Sequence, residues 1–356
     1  YYGYGNAGDE AVLGGLLHGL RTKGPAGAEY IVLSGNPGET RACHGAEARI
    51  RTLRHAIDAA KGAGAWIFGG GSLLQDVTGR LTLPYYLLVM SCVASRRVPV
   101  YFHAQGIGPL RRPLNRILTA VALRKVRRIS VRDPESAAFL AELGIKRPDV
   151  HVGADAAWLL HDVLPAPRAE GGSWLGLAVR SWLRQDGWLT GLLGGLRRFA
   201  RAYDVGVRIV PMDNARDVPL ARHIAASLAG RGDVAGAGAS YREKLSWIGG
   251  CDFVVAMRLH AGIFAALYGV PMLLLSYDPK VDALAKALAC PVLPLDKLTE
   301  NIVFAVLQQE WRRREAVRRH LAERVPVLKG MAEDDLAGLV TALTGSGPVR
   351  MESGGL

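Results

Sequence analysis

Short runs of β-branched and aromatic residues alternate with longer helical patterns along nearly the whole chain. Such an alternation is typical of βαβ units, in which parallel strands form a sheet that helices cover. We therefore predict an α/β protein with parallel sheets. The predicted strands are residues 30–34, 65–68, 98–103, 128–131, 150–152, 174–179, 207–210, 253–256 and 272–275.

A proline- and glycine-rich segment at residues 164–172 separates the strands into two groups, as a linker would. A length of 356 residues also fits about two domains. We predict two Rossmann-like domains, residues 1–165 and 173–345, followed by a flexible tail at 346–356. The opening Tyr1-Tyr2-Gly3-Tyr4 is typical of a strand-to-helix turn, so we expect the first strand to precede Tyr1.

The composition limits the classes of partner. Hydrophobic residues make up 49% and charged residues 21%, which excludes a disordered chain. The net charge of +12 indicates an anionic partner such as a phosphate, a lipid headgroup or nucleic acid. The longest apolar stretch, residues 261–277, is broken by two glycines and a proline, so we expect no membrane span. We expect reduced thiols and neither a zinc knuckle nor a disulfide framework, because four cysteines lie far apart: Cys43, Cys92, Cys251 and Cys290.

The first glycine motif, at residues 3–8, matches GxGxxG and could indicate a dinucleotide site. Asp9 and Glu10 argue against it, since they place carboxylates where a pyrophosphate needs the positive end of a helix. Glu29 begins the next strand and would lie roughly 15 Å from a ribose. The turn instead suits a neutral, hydroxyl-bearing ligand, although simple helix capping by Asn6 and Asp9 is a structural alternative. The candidate ligand residues are Tyr2, Tyr4, Asn6, Asp9 and Glu10.

Two more predicted strands end in glycine-rich loops, one at residues 69–72 and one at residues 105–109. Glycines free backbone N–H groups to approach a ligand, and the candidate binding residues there are Gly70, Gly71, Ser72 and Gln105. Arg132 ends a third strand at a helix start, where its charge opposes the helix dipole. An anion held between Arg132 and the helix would remove that conflict.

Residues 253–280 form a βαβ pattern in which each strand end carries cations. Arg258 and His260 follow the first strand, while Ser276 and Lys280 follow the second. If the two strands are neighbours, these cations can bind one anion beside a helix N-terminus. Without a ligand they would repel one another, so we predict an anion site.

At these motifs the sequence resembles the polysaccharide pyruvyl transferase family, especially its bacterial cell-wall branch. The resemblance implies a GT-B-like fold, in which the two parallel sheets face each other across a cleft that holds the active site. It also implies transfer of pyruvate from phosphoenolpyruvate (PEP) to a sugar as a cyclic ketal. The matching stretches are residues 1–10, 69–76, 105–109, 131–133, 257–261 and 276–281.

The resemblance implies roles for individual residues. Arg132, His260 and Lys280 would bind or activate PEP, and the tyrosine, asparagine and acidic residues of the first motif would line the acceptor pocket. Trp182 would stack on the sugar. The acceptor would be an N-acetylmannosamine residue on a lipid-diphosphate-linked precursor of a surface-layer-anchoring polysaccharide. The chemistry itself needs a general acid, a base and cations for the departing phosphate, and we expect no cofactor and no metal.

Three questions remain open at this point. A nucleotide-sugar glycosyltransferase of the same architecture is the main alternative function, and a nucleic-acid binder is disfavoured because aromatic residues make up only 7% of the chain. Which residue donates the proton is also open. Finally, the basic cluster Arg312–Arg319 suits either an anionic membrane face or a solvated helix surface. For a lipid-linked acceptor we expect a cytoplasmic protein that contacts the membrane peripherally.

Overall fold

The computed structural model describes residues 1–77, 79, 81–168, 171–182, 187–236 and 238–345. Its contacts divide the chain into two compact units. Among the described residues, the first unit comprises 1–4, 12–159 and 329–345, and the second comprises 5–11 and 160–328. The segment Gly5–Ala11 is thus grouped with the second unit, and residues 329–345 with the first. The tail predicted at 346–356 lies outside the described residues.

The first unit contains six strands and the helices between them. Strands β3, β4, β5 and β6 form a parallel sheet in that order, while β1 and β2 form a separate parallel pair. Every residue of β4 is buried, the polar residues His103 and Gln105 included, as expected for a central parallel strand that is covered on both faces. The elements are α1 (Ala7–Lys23), β1 (Ile31–Ser34), α2 (Pro37–His44), β2 (Glu47–Ile50), α3 (Leu53–Ala60), β3 (Trp66–Gly69), α4 (Thr82–Ala94), β4 (Val100–Gln105), α5 (Pro113–Leu123), β5 (Arg128–Val131), α6 (Pro134–Glu142) and β6 (Val150–Val152).

An apolar cavity of about 210 Å³ lies in the first unit between helix α1 and strands β1 and β3. Leu13, Leu17, Val32, Trp66 and Phe68 contribute to its wall. The first unit therefore has two separate sheets with apolar space between β1 and β3. The strand predicted before Tyr1 stays a prediction.

A buried carboxylate joins the end of the chain to the sheet of the first unit. Asp335, on helix α13 (Arg314–Thr344), lies 2.6 Å from Arg128 and 3.0 Å from the His103 ring, and it accepts a 2.7 Å hydrogen bond from the Ser130 hydroxyl. Burial alone would raise the pKa of this carboxyl, but these three partners lower it to about 2. The carboxylate is therefore ionised in the folded protein and neutralises the Arg128 guanidinium inside the first unit.

The second unit is built on one six-stranded parallel sheet with the order β12-β11-β10-β7-β8-β9. Its core packs apolar side chains of the central strands against helices α7 and α12. Short 3₁₀ helices cover Ala156–Val163 and Leu295–Lys297. The remaining elements are β7 (Trp174–Ala178), α7 (Gly187–Tyr203), β8 (Gly206–Ile209), α8 (Val218–Ser227), β9 (Gly232–Val234), α9 (Tyr241–Gly249), β10 (Phe253–Ala256), α10 (Leu259–Leu267), β11 (Met272–Ser276), α11 (Pro279–Leu288), β12 (Val292–Pro294) and α12 (Glu300–Arg312).

All nine predicted strands are present, with ends shifted by two residues at most. The prediction of two Rossmann-like domains with parallel sheets is confirmed. Strands β2, β9 and β12 were not predicted, because each has only three or four residues and mixes apolar with charged, glycine or proline residues. Across the part of the chain that the structure describes, no helix combines the length and the apolar character needed to cross a membrane.

Candidate functional site

The segment that starts helix α1 pairs with the loop after strand β8. Asn6 forms an antiparallel bridge with Asp213, and Ala7 donates its N–H to the Met212 carbonyl at 2.8 Å. The Gly5 carbonyl accepts from the Asn214 N–H at 2.9 Å. Backbone bonds on both sides of Asn6 therefore hold the segment Gly5–Ala11 within the second unit.

The same segment packs directly against His260. A methyl group on Gly8 would lie only 2.2 Å from Nδ1 of His260, so only glycine fits there. The Asn6 carboxamide accepts from the Gly8 N–H at 3.0 Å, as a helix cap does. Asp9 is half-buried and Glu10 is buried in the first turn of α1. The structure thus brings Asn6, Asp9 and Glu10 into the unit that holds His260.

Three neighbouring strands of the second sheet carry cationic residues at their carboxyl ends. Strand β10 lies between β7 and β11, so the predicted adjacency of the two strands in residues 253–280 is confirmed. Ala256 pairs with Ala178 on one side and with Leu274 on the other. Two residues after Ala178, Ala256 and Leu274, at the same edge of the sheet, lie Arg180, Arg258 and Ser276.

His260 and Lys280 occupy the first turns of helices α10 and α11. Both helices begin at this edge of the sheet, where their N-terminal dipoles favour an anion. Asp278 caps α11 by accepting from the Lys280 N–H at 3.2 Å. The Lys280 ammonium lies 3.4 Å from this carboxylate and its side chain is 37% exposed, so it can reach a ligand.

Arg180 extends the cationic row beyond the predicted residues. Its guanidinium lies 5.9 Å from the Trp182 ring centroid and 5.6 Å from that of Tyr277. The two rings meet edge to face at 4.8 Å. The Arg180 Nε is buried and has no hydrogen-bond partner within the described residues. Trp182, predicted to stack on a sugar, therefore packs with Tyr277 under a cation.

A buried network of charges supports Arg258 from below. The carboxylate of Asp217 accepts hydrogen bonds from Nε and Nη2 of Arg258, the first at 3.0 Å. It also accepts one from the Asp213 N–H. Lys244 is fully buried and donates to the Asn214 carboxamide at 2.6 Å. Burial lowers the pKa of Lys244 to about 8, against the opposing effect of the two carboxylates. Arg258 is therefore neutralised within the protein, so the repulsion predicted among the cations does not include this residue.

In the first unit, Arg132 is held in a fixed position. Its Nη1 lies 2.9 Å from the buried carboxylate of Asp155, and its Nη2 donates to the Ser72 hydroxyl at 3.1 Å. A methyl group on Gly106 would lie 2.7 Å from that hydroxyl and 2.8 Å from the guanidinium. Two loops thus enclose Arg132, whose side chain is only 7% exposed.

The other glycine-loop candidates act as a scaffold around this arginine. Gln105 is fully buried and donates to the carbonyls of Phe68 and Gly70, the first at 3.1 Å. Gly70 and Gly71 adopt φ values of +65° and +77°, which favour glycine. Gln105 therefore stabilises the loop. The predicted contact of Gln105 with a substrate stays a prediction, and the burial of this side chain does not favour it.

The tyrosines at the start of the chain lie in the first unit. The Tyr2 hydroxyl donates to the Gly69 carbonyl. Tyr4 stacks on Tyr1 at 4.0 Å, is 40% exposed and accepts a 3.0 Å hydrogen bond from Arg51. The exposed ring pair and its cation form a surface that can pack on a sugar.

The predicted site residues therefore fall into two sets, one in each unit. The first set is Tyr2, Tyr4, Gly70, Gly71, Ser72, Gln105 and Arg132, and the second is Asn6, Asp9, Glu10, Trp182, Arg258, His260, Ser276 and Lys280. Sequence reasoning missed Arg180, Asp213, Asp217 and Lys244. A signal was available for two of them, since Arg180 and Asp213 follow predicted strands by one and three residues.

The two Rossmann-like domains with parallel sheets make up a GT-B-like fold, which several solved structures share. MnaA of Staphylococcus aureus, solved with UDP, aligns with a TM-score of 0.69 and 13% identity over 95% of this chain and 94% of its own. A putative UDP-N-acetylglucosamine 2-epimerase of Listeria monocytogenes gives 0.70 and 14% over 96% and 95%. HepE of Anabaena, solved with UDP-glucose, gives 0.64 and 11% over 95% and 98%.

The family model of the polysaccharide pyruvyl transferases matches residues 6–279, which is more than half of the chain. This protein belongs to the polysaccharide pyruvyl transferase family. The match confirms the family resemblance. It begins at Asn6, within the first glycine motif, includes Arg258 and His260 after β10, and ends at Pro279, one residue before Lys280. A search of curated proteins found no match.

Proposed function

We propose that the protein transfers pyruvate from PEP to a sugar as a cyclic ketal and releases phosphate. The observation that carries this proposal is the row of cations at the ends of β7, β10 and β11. Arg180, His260 and Lys280 lie there beside two helix N-termini, and Asp217 neutralises the fourth cation, Arg258. A small donor with a carboxylate and a phosphate suits such an edge.

The reaction assigns a task to each type of group. A proton is added to the methylene carbon of PEP, and a sugar hydroxyl attacks the adjacent carbon and loses its own proton. The bond from that carbon to the phosphate oxygen then breaks and phosphate leaves. A second hydroxyl attacks the same carbon, loses its proton and closes the ring. We propose His260 as the proton donor, Arg180 and Lys280 as ligands of the phosphate and carboxylate, and Asp9 or Glu10 as the base.

The roles of the first unit rest on the family resemblance and on local geometry. Arg132 remains a proposed PEP ligand, held by Asp155 and Ser72. Tyr4 and Trp182 are proposed to pack on the acceptor sugar. We propose N-acetylmannosamine of a lipid-diphosphate-linked cell-wall precursor as the acceptor, used at the cytoplasmic face of the membrane.

His260→Ala tests the chemistry directly. We expect release of phosphate from PEP in the presence of a saccharide acceptor to fall by about a thousandfold, because general acid catalysis contributes about 10²–10⁴-fold. His223→Ala is the matched control, since His223 is exposed on helix α8. Equal turnover by the two variants would remove His260 from the mechanism.

A nucleotide-sugar glycosyltransferase is the second candidate, because similar folds were solved with UDP and UDP-glucose. Thermal unfolding separates the two functions. We expect PEP to raise the unfolding temperature and UDP-sugars to leave it unchanged. A rise with UDP-sugars alone would favour the glycosyltransferase.

A further inference from the structure

Helix α5 has its large apolar residues on the outside. Leu114, Ile117, Leu118 and Val121 follow the helical spacing i, i+3, i+4, i+7 and are 64%, 60%, 46% and 50% exposed. The opposite face is buried and consists mainly of small residues, with Thr119, Ala120, Ala122 and Leu123 turned inward. In most surface helices the large apolar stripe faces the core. We call the four exposed residues the α5 patch.

Cations surround the α5 patch at both ends. Residues 111–127 contain five arginines and one lysine and no acidic residue. Arg111 and Arg112 are exposed before the helix, and Arg124 and Lys125 are exposed after it. The carboxylate of Asp76 accepts from backbone N–H groups of residues 111 and 112 and from Asn115, and it also interacts with the charge of Arg112. Arg116 lies 3.4 Å from Glu142. The other four cations of this segment are exposed: Arg111, Arg124, Lys125 and Arg127.

Helix α4, which packs beside α5, adds apolar surface in the same unit. Leu81 precedes it and is 81% exposed, and Leu88 within it is 48% exposed. Large aliphatic side chains that stay in water do not contribute the free energy that their burial would give to folding. A surface of this kind is typical of an interaction site.

We propose that the α5 patch docks the protein on a bilayer that contains anionic lipids. An apolar helical stripe flanked by arginine and lysine matches the boundary between acyl chains and negative headgroups. Nucleic acid would satisfy the cations but not the aliphatic side chains. The proposal concerns where the enzyme works and does not depend on the identity of the donor.

The basic cluster Arg312–Arg319 fits a bilayer less well than α5 does. Arg313 lies 3.7 Å from Glu310, and Arg318 lies 3.2 Å from Glu315. Arg314 stacks on Trp311 at 4.7 Å. Acidic partners along the helices lower the net charge of the cluster, so a solvated helix surface suits it better.

Vesicle flotation with the full chain tests the proposal. The probes are vesicles of phosphatidylcholine alone and of phosphatidylcholine with phosphatidylglycerol in equal parts. We expect binding to the anionic vesicles, weaker binding at high salt, and little binding to the neutral ones. The double variant Leu114→Ser/Ile117→Ser should lower the partition coefficient at least about tenfold, because it removes two aliphatic side chains from the contact.

Val327→Ser is the matched control, since Val327 is 59% exposed on helix α13, outside the α5 patch. It should bind the vesicles as the unchanged protein does. Equal binding by the double variant, or no binding by the unchanged protein, overturns the proposal. A change from dimer to monomer in the double variant, seen by light scattering, would also overturn it and assign the patch to a second copy of the chain. Phosphate release from PEP with detergent-dissolved acceptor should be the same in all three proteins, which separates this result from the proposed chemistry.

Discussion

Replacing Gly8 with alanine tests whether the contact between helix α1 and His260 positions the ring that we propose as proton donor. The new methyl group would lie 2.2 Å from Nδ1, 2.6 Å from Cγ and 3.0 Å from Cε1 of His260. Ordinary contacts are about 3.5 Å, so the ring must move by about 1 Å. A misplacement of about 1 Å costs roughly a hundredfold in rate. We therefore expect turnover to fall about a hundredfold, and overpacking to cost about 1–3 kcal/mol of folding free energy.

The assay is release of phosphate from PEP, combined with urea denaturation. Gly330→Ala is the control, because Gly330 is also helical and a methyl group there meets nothing within 4 Å. It should keep full turnover and gain about 0.5–1 kcal/mol from helix propensity. In a His260→Ala background the stability cost of Gly8→Ala should largely disappear, since the clashing ring is gone. Additive costs in that double variant, or full turnover in Gly8→Ala, would refute the reasoning.

Three further predictions concern charged side chains. The folded pKa of Asp335, about 2, lies below the ordinary value of 3.8, so this carboxyl contributes stability above pH 3.8 that is lost as the pH falls through 2. The loss should be roughly 2 kcal/mol in acid denaturation and absent in Asp335→Asn. In Asp217→Ala the guanidinium of Arg258 loses its carboxylate partner, which should lower the free energy of unfolding by about 3–5 kcal/mol. An unchanged urea midpoint would show that this ion pair does not stabilise the fold. In Arg132→Lys the planar guanidinium is lost, so the side chain can no longer hold Asp155 and a ligand at the same time. The KM for PEP should rise about tenfold, whereas an unchanged KM would remove Arg132 from the donor site.

The sequence predicted the strands that lie inside the sheets better than those at the edges. Buried parallel strands such as β10 and the first four residues of β11 are runs of apolar residues, so the local sequence identifies them. The edge strands β9 and β12 have three residues each and depend on pairing with a neighbour, which no local pattern records.

The candidate site was predictable where it depends on strand ends and not where it depends on distant partners. Arg258 lies two residues after a predicted strand and His260 lies in the first turn of the helix that follows, so the position of both was predictable. The neutralising partner of Arg258 is Asp217, 41 residues earlier in the chain, and no spacing rule connects the two. Lys244 is similar, because a lysine in an amphipathic helix suggests a solvated side chain, whereas here it is fully buried.

The position of Asp335 has a consequence for synthesis of the chain. His103 and Arg128 lie in the first half of the sequence, but the carboxylate that contacts both is added more than two hundred residues later. While the ribosome is still translating the middle of the chain, Arg128, whose side chain is only 12% exposed in the folded protein, lacks its counter-ion. Domains often fold in order as they emerge from the ribosome, from the N-terminus onward. In this protein the first unit can reach its full stability only when translation has passed the last helix.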